Sequence, residues 1–237
     1  MSTTTTFDTR YGFKVDVGPE ATGQTLVHRM ANVMWLPMLA MGFMVLAGAL
    51  IAGIVQANLA SDAFPGGSAT DRATVETMKA LQPGVIFAGV AFLLAGISFL
   101  LASVLGAMRG GGGALQQKLG REVYTPRMPA SAWAFMALMM AGLMVALISL
   151  GFHIYAAVQV YDYYSTGVPP AADALHLLGR AETVLSYASP LSMVGIGLLL
   201  SGVVLALYTI GNVLRFQFDR VQEIILGRTD IVLSKRS

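Results

Sequence analysis

The sequence predicts an all-α integral membrane protein, built as a bundle of four transmembrane helices. Its 237 residues are 55% hydrophobic and only 12% charged, whereas a soluble globular domain carries about 25% charged residues. The charged residues also cluster in the sequence and leave four long stretches with no Asp, Glu, Lys or Arg. A soluble domain of this size needs more polar surface than the chain can supply.

The four uncharged stretches are residues 30–61, 80–108, 128–161 and 183–214. Each exceeds the roughly 20 residues with which an α-helix crosses the hydrocarbon core, and an ionised side chain at its centre would cost about 2.5–3.5 kcal/mol. We therefore expect transmembrane helices TM1 to TM4, with cores at 34–56, 84–107, 132–157 and 190–212.

The basic residues predict the orientation of these helices. Three lie in 1–29, four in 109–127 and five in 215–237, whereas 62–79 holds two and 162–182 holds one. Because basic residues concentrate in cytoplasmic flanks, we expect both termini in the cytoplasm, and the membrane to be the bacterial cytoplasmic (inner) membrane. The N-terminal segment lacks a basic start and a short apolar run, so we expect no cleaved signal peptide.

An internal repeat organises the chain into two tandem helical hairpins. Arg29 precedes Trp35 by six residues, and Arg127 precedes Trp133 by the same spacing. Near the end of each half a glycine precedes an arginine by thirteen residues, namely Gly96 before Arg109 and Gly202 before Arg215. The predicted parts are a polar cytoplasmic segment 1–29, hairpin 30–109, a Gly-rich basic loop 110–127, hairpin 128–215 and a cytoplasmic amphipathic tail 216–237.

Two segments outside the spans carry local patterns. Leu214, Phe218, Val221 and Ile225 recur at helical spacing, so we expect TM4 to continue as an amphipathic helix that docks onto lipid or a partner. Gly110 to Gly113 predict a flexible break after TM2.

Small and aromatic residues mark the expected packing surfaces. Small residues let helices approach closely in lipid, and Trp anchors helix ends at the membrane interface. The residues assigned to packing and interfaces are Gly42, Gly53, Gly89, Gly96, Gly195, Gly202, Trp35, Trp133, Phe218 and Ile225.

Histidine and carboxylate residues near one membrane face suggest a metal site. His153, His176, Asp162 and Asp173 share the predicted outer side, and these ligand types suit Zn, Cu or Fe. Their spacings are irregular, however, and an interfacial histidine beside a loop histidine is the simpler interpretation. A haem held by two histidines is excluded, since His28 and His153 lie at opposite faces, which leaves His153 with a methionine as the only embedded pair.

Methionines recur along two helices, and a copper path is one interpretation of them. The positions are Met30, Met34, Met38 and Met41 on TM1 and Met136, Met140 and Met144 on TM3. Thioether sulfurs stacked at this spacing can pass Cu(I). Methionine is also a common filler of irregular packing, so we expect these stripes to form the seam between the repeats.

The chain lacks the usual signs of catalysis. It has no Cys, no Ser-His-Asp set and no carboxylate within a span. We therefore expect no catalytic residues, no resident cofactor beyond bound lipid, and no nucleic-acid partner. The expected function is a non-catalytic subunit that scaffolds a larger membrane complex, such as a redox or metal-dependent one, through membrane lipids and other integral subunits, as a hetero-oligomer or a homo-oligomer. The alternatives are a small transporter or copper channel, and a haem- or metal-binding redox subunit that uses His153.

Overall fold

Four long helices account for most of the structure, which is a computed structural model. It describes residues 4–8, 11, 13–18, 26–63, 68–120, 122–167 and 170–226. In chain order the elements are β1 (Thr4–Asp8), β2 (Phe13–Gly18), α1 (Leu26–Ala63), α2 (Ala69–Lys118), β3 (Val123–Pro126), α3 (Ala130–Ser165) and α4 (Leu175–Leu226). A single 3₁₀ turn, Ala172–Ala174, precedes α4.

All four helices are long and apolar enough to cross a membrane. They contain 38, 50, 36 and 52 residues, against the roughly 20 that a span requires. The chain is therefore a helical integral membrane protein, as the absence of charge in four stretches predicts. Every helix extends beyond its predicted core, because helix formation continues past the point at which charged residues reappear.

The predicted flexible break after TM2 is wrong. Gly110 to Gly113 lie inside α2, which continues to Lys118. Glycine disfavours a helix by about 1 kcal/mol per residue, but tertiary packing overrides that preference here. Gly113 is buried, and any side chain at Gly112 would collide with Gln217 of α4. Glycine thus serves close helix packing at this point.

Three prolines lie well inside the helices. Pro37, Pro83 and Pro190 belong to α1, α2 and α4. Pro37 and Pro190 lie near the starts of the predicted TM1 and TM4 cores, but α1 and α4 begin well before those cores, at Leu26 and Leu175. Proline inside a membrane helix is tolerated where neighbouring groups satisfy the freed backbone carbonyl.

The chain divides into two compact units. Unit 1 comprises residues 1–35, 97–137 and 201–237, and unit 2 comprises residues 36–96 and 138–200. Within unit 1, β1, β2 and β3 form one antiparallel sheet in that order, with Val15 opposite Pro126. The buried core of this unit combines sheet and helix residues: Tyr11, Val15, Leu105, Tyr124, Ala132, Ile210, Val213 and Phe216.

The sheet was not predicted, because the N-terminal residues were interpreted only as a polar segment. The signal is present in residues 13–17, Phe-Lys-Val-Asp-Val, where apolar and polar residues alternate as in a half-buried strand. The structure confirms that alternation at Lys14, which is exposed, and Val15, which is buried. The rest of the predicted tail, residues 227–237, lies outside the described residues.

Unit 2 is held together by glycines that contact a neighbouring helix. On α1 and α2, Gly42 packs against Leu93 and Gly89 packs against Leu46. On α3 and α4, Gly142 packs against Leu199. A second small cluster consists of Ala156, Val160 and Ala181.

Candidate functional site

His153 is the histidine best placed for chemistry within a span, and it is enclosed by protein. Only 1% of its surface is exposed. Its Nδ1 lies 2.9 Å from the carbonyl oxygen of Ser149, and because a carbonyl can only accept, Nδ1 carries the hydrogen. The ring lies against Gly84 of α2, where an added Cβ would come within 2.6 Å of Cβ and Cγ of His153. The imidazole therefore fills a notch made by a glycine.

Two serines extend this polar contact towards α4. The Ser149 hydroxyl donates to the carbonyl oxygen of Ala188 at 2.7 Å and lies 2.5 Å from the hydroxyl of Ser192. Both serines are completely buried. A buried hydroxyl costs free energy unless it is hydrogen-bonded, so this arrangement specifies how α3 and α4 pair at this level.

The four residues predicted to bind a metal are not assembled into a site. His176, Asp162 and Asp173 are exposed, whereas His153 is buried. His176 does meet Asp173, but through the backbone, since its Nδ1 lies 2.9 Å from the Asp173 carbonyl oxygen. Within the described part of the chain, no three His, Cys, Asp or Glu residues lie close enough to hold a metal ion. These residues were predicted near the same membrane face, but that does not bring them together, because the His153 side chain is buried within the protein.

The methionine stripes also differ from the expected seam. Met30, Met41, Met140 and Met144 are between 40% and 58% exposed on the protein surface. Met34, Met38 and Met136 are partly buried. Four of the seven side chains thus face outward, where apolar surface of a membrane helix meets lipid or another subunit.

The residues predicted to form packing surfaces fall into two groups. Gly42, Gly53, Gly89, Gly96 and Gly195 each lie so close to another residue that a Cβ would meet it within about 3 Å, and Gly202 is buried. Trp35 is half-buried, whereas Trp133, Phe218 and Ile225 are exposed. The glycines therefore serve packing within the chain, and the exposed aromatic and aliphatic residues remain available outside it.

Sequence reasoning missed a buried charge cluster in unit 1. Arg220 and Glu223 form a 2.6 Å ion pair, with only 10% and 1% of their side chains exposed. The guanidinium carbon of Arg220 lies 3.9 Å from the ring centroid of Tyr124, which places a cation over an aromatic face. Burial raises the pKa of Tyr124, and Arg220 partly opposes that rise. The ion pair lies within α4, and the contact of Arg220 with Tyr124 links the end of α4 to strand β3.

Further polar contacts attach the sheet to the helices of unit 1. Arg109 is buried, and its Nε donates to the carbonyl oxygen of Pro126 at 2.8 Å. Arg127 pairs with Asp16 at 2.9 Å and joins β2 to the residue after β3. The hydroxyl of Tyr11 donates to Asp219. Charged residues that were predicted only to flank the membrane spans therefore also connect the sheet to the helices of unit 1.

The end of α4 is amphipathic, but in the reverse sense of a soluble helix. Its charged pair, Arg220 and Glu223, is buried, while Phe218, Ile225 and Leu226 are 64%, 76% and 60% exposed. We call these three residues the terminal apolar face. A helix in water normally buries its apolar stripe and exposes its charges. The predicted stripe exists, but it points away from the chain's own core.

No family model, characterised protein or solved structure matches this chain. Its function therefore has to be argued from its own surfaces.

Proposed function

We propose that this protein is a non-catalytic integral membrane subunit that scaffolds a larger membrane complex. The observation that carries the proposal is the terminal apolar face, which is exposed although it adjoins a buried ion pair. Large exposed apolar patches on a folded protein mark sites of interaction with protein or membrane. The distance of this face from the predicted TM4 core indicates whether a protein or the membrane covers it.

The terminal apolar face extends beyond the reach of lipid tails. TM4 is predicted to end at residue 212, and Ile225 follows thirteen residues later within the same helix α4. At 1.5 Å per residue, that is about 20 Å along the helix. The headgroup region adds only about 5–8 Å on each side of the hydrocarbon core. A protein partner therefore covers this face better than the bilayer does.

The arrangement we propose for the spans is two tandem hairpins with both termini in the cytoplasm. The contacts of Gly42 with Leu93 and of Gly142 with Leu199 support pairing of α1 with α2 and of α3 with α4. The excess of basic residues in 1–29, 109–127 and 215–237 supports the orientation. In this orientation, the terminal apolar face projects into the cytoplasm from a bacterial cytoplasmic membrane.

A scaffolding role also agrees with how the buried polar groups are used. His153, Ser149 and the Arg220–Glu223 pair are hydrogen-bonded within the protein, and the Ser149 hydroxyl links α3 to α4. Catalytic groups, by contrast, need access to a substrate and an open position beside it. The exposed apolar surface is therefore the part of the protein that is available to bind a partner.

The test is purification of the affinity-tagged full-length chain from its native membrane in a mild detergent. We expect one or more integral membrane proteins to co-purify in a fixed stoichiometry. Changing Phe218 and Ile225 together to Ser should abolish co-purification of these partner proteins. The melting temperature of the subunit should not fall, because both side chains are exposed. A Gln222→Ser variant, in the same helical segment and also exposed, is the matched control and should retain the partners.

Two outcomes would contradict the proposal. One is isolation of the wild-type chain as a stable monomer without stoichiometric partners. The other is co-purification that is equally strong for the wild type and for the Phe218/Ile225 double variant, since the partner would then bind elsewhere.

A further inference from the structure

A lateral groove between α1 and α2 in unit 2 has the composition of a lipid site. It encloses about 270 Å³. Its lining includes small residues of α1 such as Gly48 and Ala52, apolar side chains such as Val45 and Leu81, and the two amides Gln56 and Gln82. No charged side chain lines it. A groove of this kind accepts a flexible hydrocarbon chain and offers hydrogen bonds at two defined points only.

The two amides are the polar part of the groove. Both side chains are half-buried and line the groove. The Nε2 of Gln82 lies 2.8 Å from where a Cβ on Gly53 would be, so that amide lies close against the α1 backbone. An amide in a hydrocarbon environment costs free energy unless a partner satisfies it. The groove thus presents two polar groups with which an occupant can form hydrogen bonds.

The depth of the amides indicates which occupant fits. Gln56 is the last residue of the predicted TM1 core, and Gln82 lies two residues before the predicted TM2 core. Both are therefore expected at the boundary where hydrocarbon gives way to the polar part of the bilayer. Gly48 lies eight residues, or about 12 Å, deeper along α1. A phospholipid has its ester carbonyls at that boundary and its acyl chains below it.

The absence of charge in the lining favours the ester region of a lipid over its phosphate. An ester carbonyl accepts a hydrogen bond from an amide NH₂ group, which is neutral. The match in depth, with ester carbonyls at the level of the two amides and acyl chains beside Gly48, therefore favours a phospholipid as the occupant.

We propose that this groove binds one phospholipid molecule, with an acyl chain along Gly48 and Ala52 and its ester carbonyls accepting hydrogen bonds from Gln56 and Gln82. The site is distinct from the terminal apolar face. Its occupancy is expected to be independent of protein partners, so a failure here leaves the scaffolding proposal untouched.

The test uses the full-length protein in phosphatidylcholine vesicles that contain a trace of phosphatidylcholine with a photoreactive diazirine in its acyl chain. After illumination, peptide mapping should place the label on the α1 segment that contains Gly48 and Ala52. Gly48→Leu should lower this labelling several-fold, because it fills the groove. A Cβ at Gly48 meets nothing within 4 Å, so the variant is expected to fold.

The matched control is Gly151→Leu on α3, where a Cβ also meets nothing within 4 Å and labelling of α1 should be unchanged. Changing Gln56 and Gln82 together to Leu removes both hydrogen-bond donors at similar volume, and we expect a several-fold loss of lipid that remains bound through detergent extraction. Equal labelling of wild type and Gly48→Leu would overturn the proposal. Loss of the α1 label when a few mole per cent of an isoprenoid quinone is added to the vesicles would overturn the identity of the ligand.

Discussion

Gly42 packs so closely against Leu93 that a Cβ on the glycine would lie 2.7 Å from the Leu93 backbone nitrogen. Gly142 and Leu199 repeat this contact, with the Leu199 backbone nitrogen 3.0 Å from a Cβ on Gly142. In the sequence, Leu93 precedes Arg109 by sixteen residues, and Leu199 precedes Arg215 by sixteen. The two halves of the chain therefore make the same kind of contact, with the leucines at matching distances from Arg109 and Arg215, whereas the glycines follow Trp35 by seven residues and Trp133 by nine.

A second pair of contacts follows the same correspondence. Gly89 packs against Leu46, and Gly195 packs against Ala146. These pairs are shifted between the halves by the same numbers of residues as the first. Equivalent close approaches at two levels support the duplication that the arginine and tryptophan spacings predict. They also explain why the glycines occur where they do, since any side chain would push two helix backbones apart.

We expect Gly42→Ala and Gly142→Ala each to destabilise the protein by about 1–3 kcal/mol, the usual cost of overpacking a tight contact. The neighbouring backbone cannot yield as a flexible side chain would. The measurement is the free energy of unfolding in mixed micelles, titrated with a denaturing detergent. Gly151→Ala and Gly197→Ala are the controls, because a Cβ at either position meets nothing within 4 Å. Equal effects at all four positions would contradict this account of the packing.

The buried ion pair of Arg220 with Glu223 should matter far more than an exposed pair of the same spacing. Removing one partner of a buried pair leaves an uncompensated charge and costs about 3–5 kcal/mol. We therefore expect Glu223→Gln to lower the free energy of unfolding by about that amount and to loosen the sheet from α4. Tryptic cleavage within the N-terminal strands, followed by mass spectrometry, reports the loosening.

The chain provides its own control for this experiment. Glu76 and Lys79 are also three residues apart and 2.7 Å from each other, but their side chains are 21% and 45% exposed. A surface pair contributes about 0–1 kcal/mol, so Glu76→Gln should have a small effect. If Glu223→Gln and Glu76→Gln lower the free energy of unfolding by the same amount, burial does not explain the contribution of the Arg220–Glu223 pair.

The contact between Gly84 and His153 predicts a measurable coupling. Gly84→Ala introduces a methyl group within 2.6 Å of the His153 side chain and should destabilise the protein by about 1–3 kcal/mol. His153→Ala should destabilise it as well, by opening a cavity and by removing the hydrogen bond to Ser149. In the double variant the new methyl group partly fills the cavity. Its loss of stability should therefore be smaller than the sum of the two single losses by about 0.5–3 kcal/mol. Strict additivity would show that the two residues do not touch.

The sequence predicts the spans better than it predicts the roles of the charges between them. Charge-free stretches identify helices because a membrane excludes ionised groups, whatever the tertiary structure. Arg220 and Glu223 look like ordinary flanking charges, since nothing local shows that β3, nearly 100 residues earlier in the chain, lies against Arg220. His153 illustrates the same limit, because its position along a helix gives its depth but not the glycine notch that encloses it.

The same reasoning explains the error at Gly110 to Gly113. Local preference favours a break, whereas α2 continues to Lys118 with Gly112 close to the Gln217 side chain and Gly113 buried. The strand at residues 13–17 is a different case, because its alternation of apolar and polar residues was present in the sequence. It was overlooked because the composition of the whole N-terminal segment is polar.

Membrane orientation can be tested without any background, because the chain contains no cysteine. We expect Ala172→Cys, at an exposed position between α3 and α4, to react with a membrane-impermeant maleimide in right-side-out vesicles. Gln117→Cys, exposed near the end of α2, should react only in inverted vesicles or after permeabilisation. The reason is the distribution of basic residues, which places 109–127 in the cytoplasm and 162–182 outside. The opposite pattern of labelling would reverse the orientation and move the terminal apolar face to the other side of the membrane, whereas equal labelling of both sites from one side would rule out an odd number of spans between them.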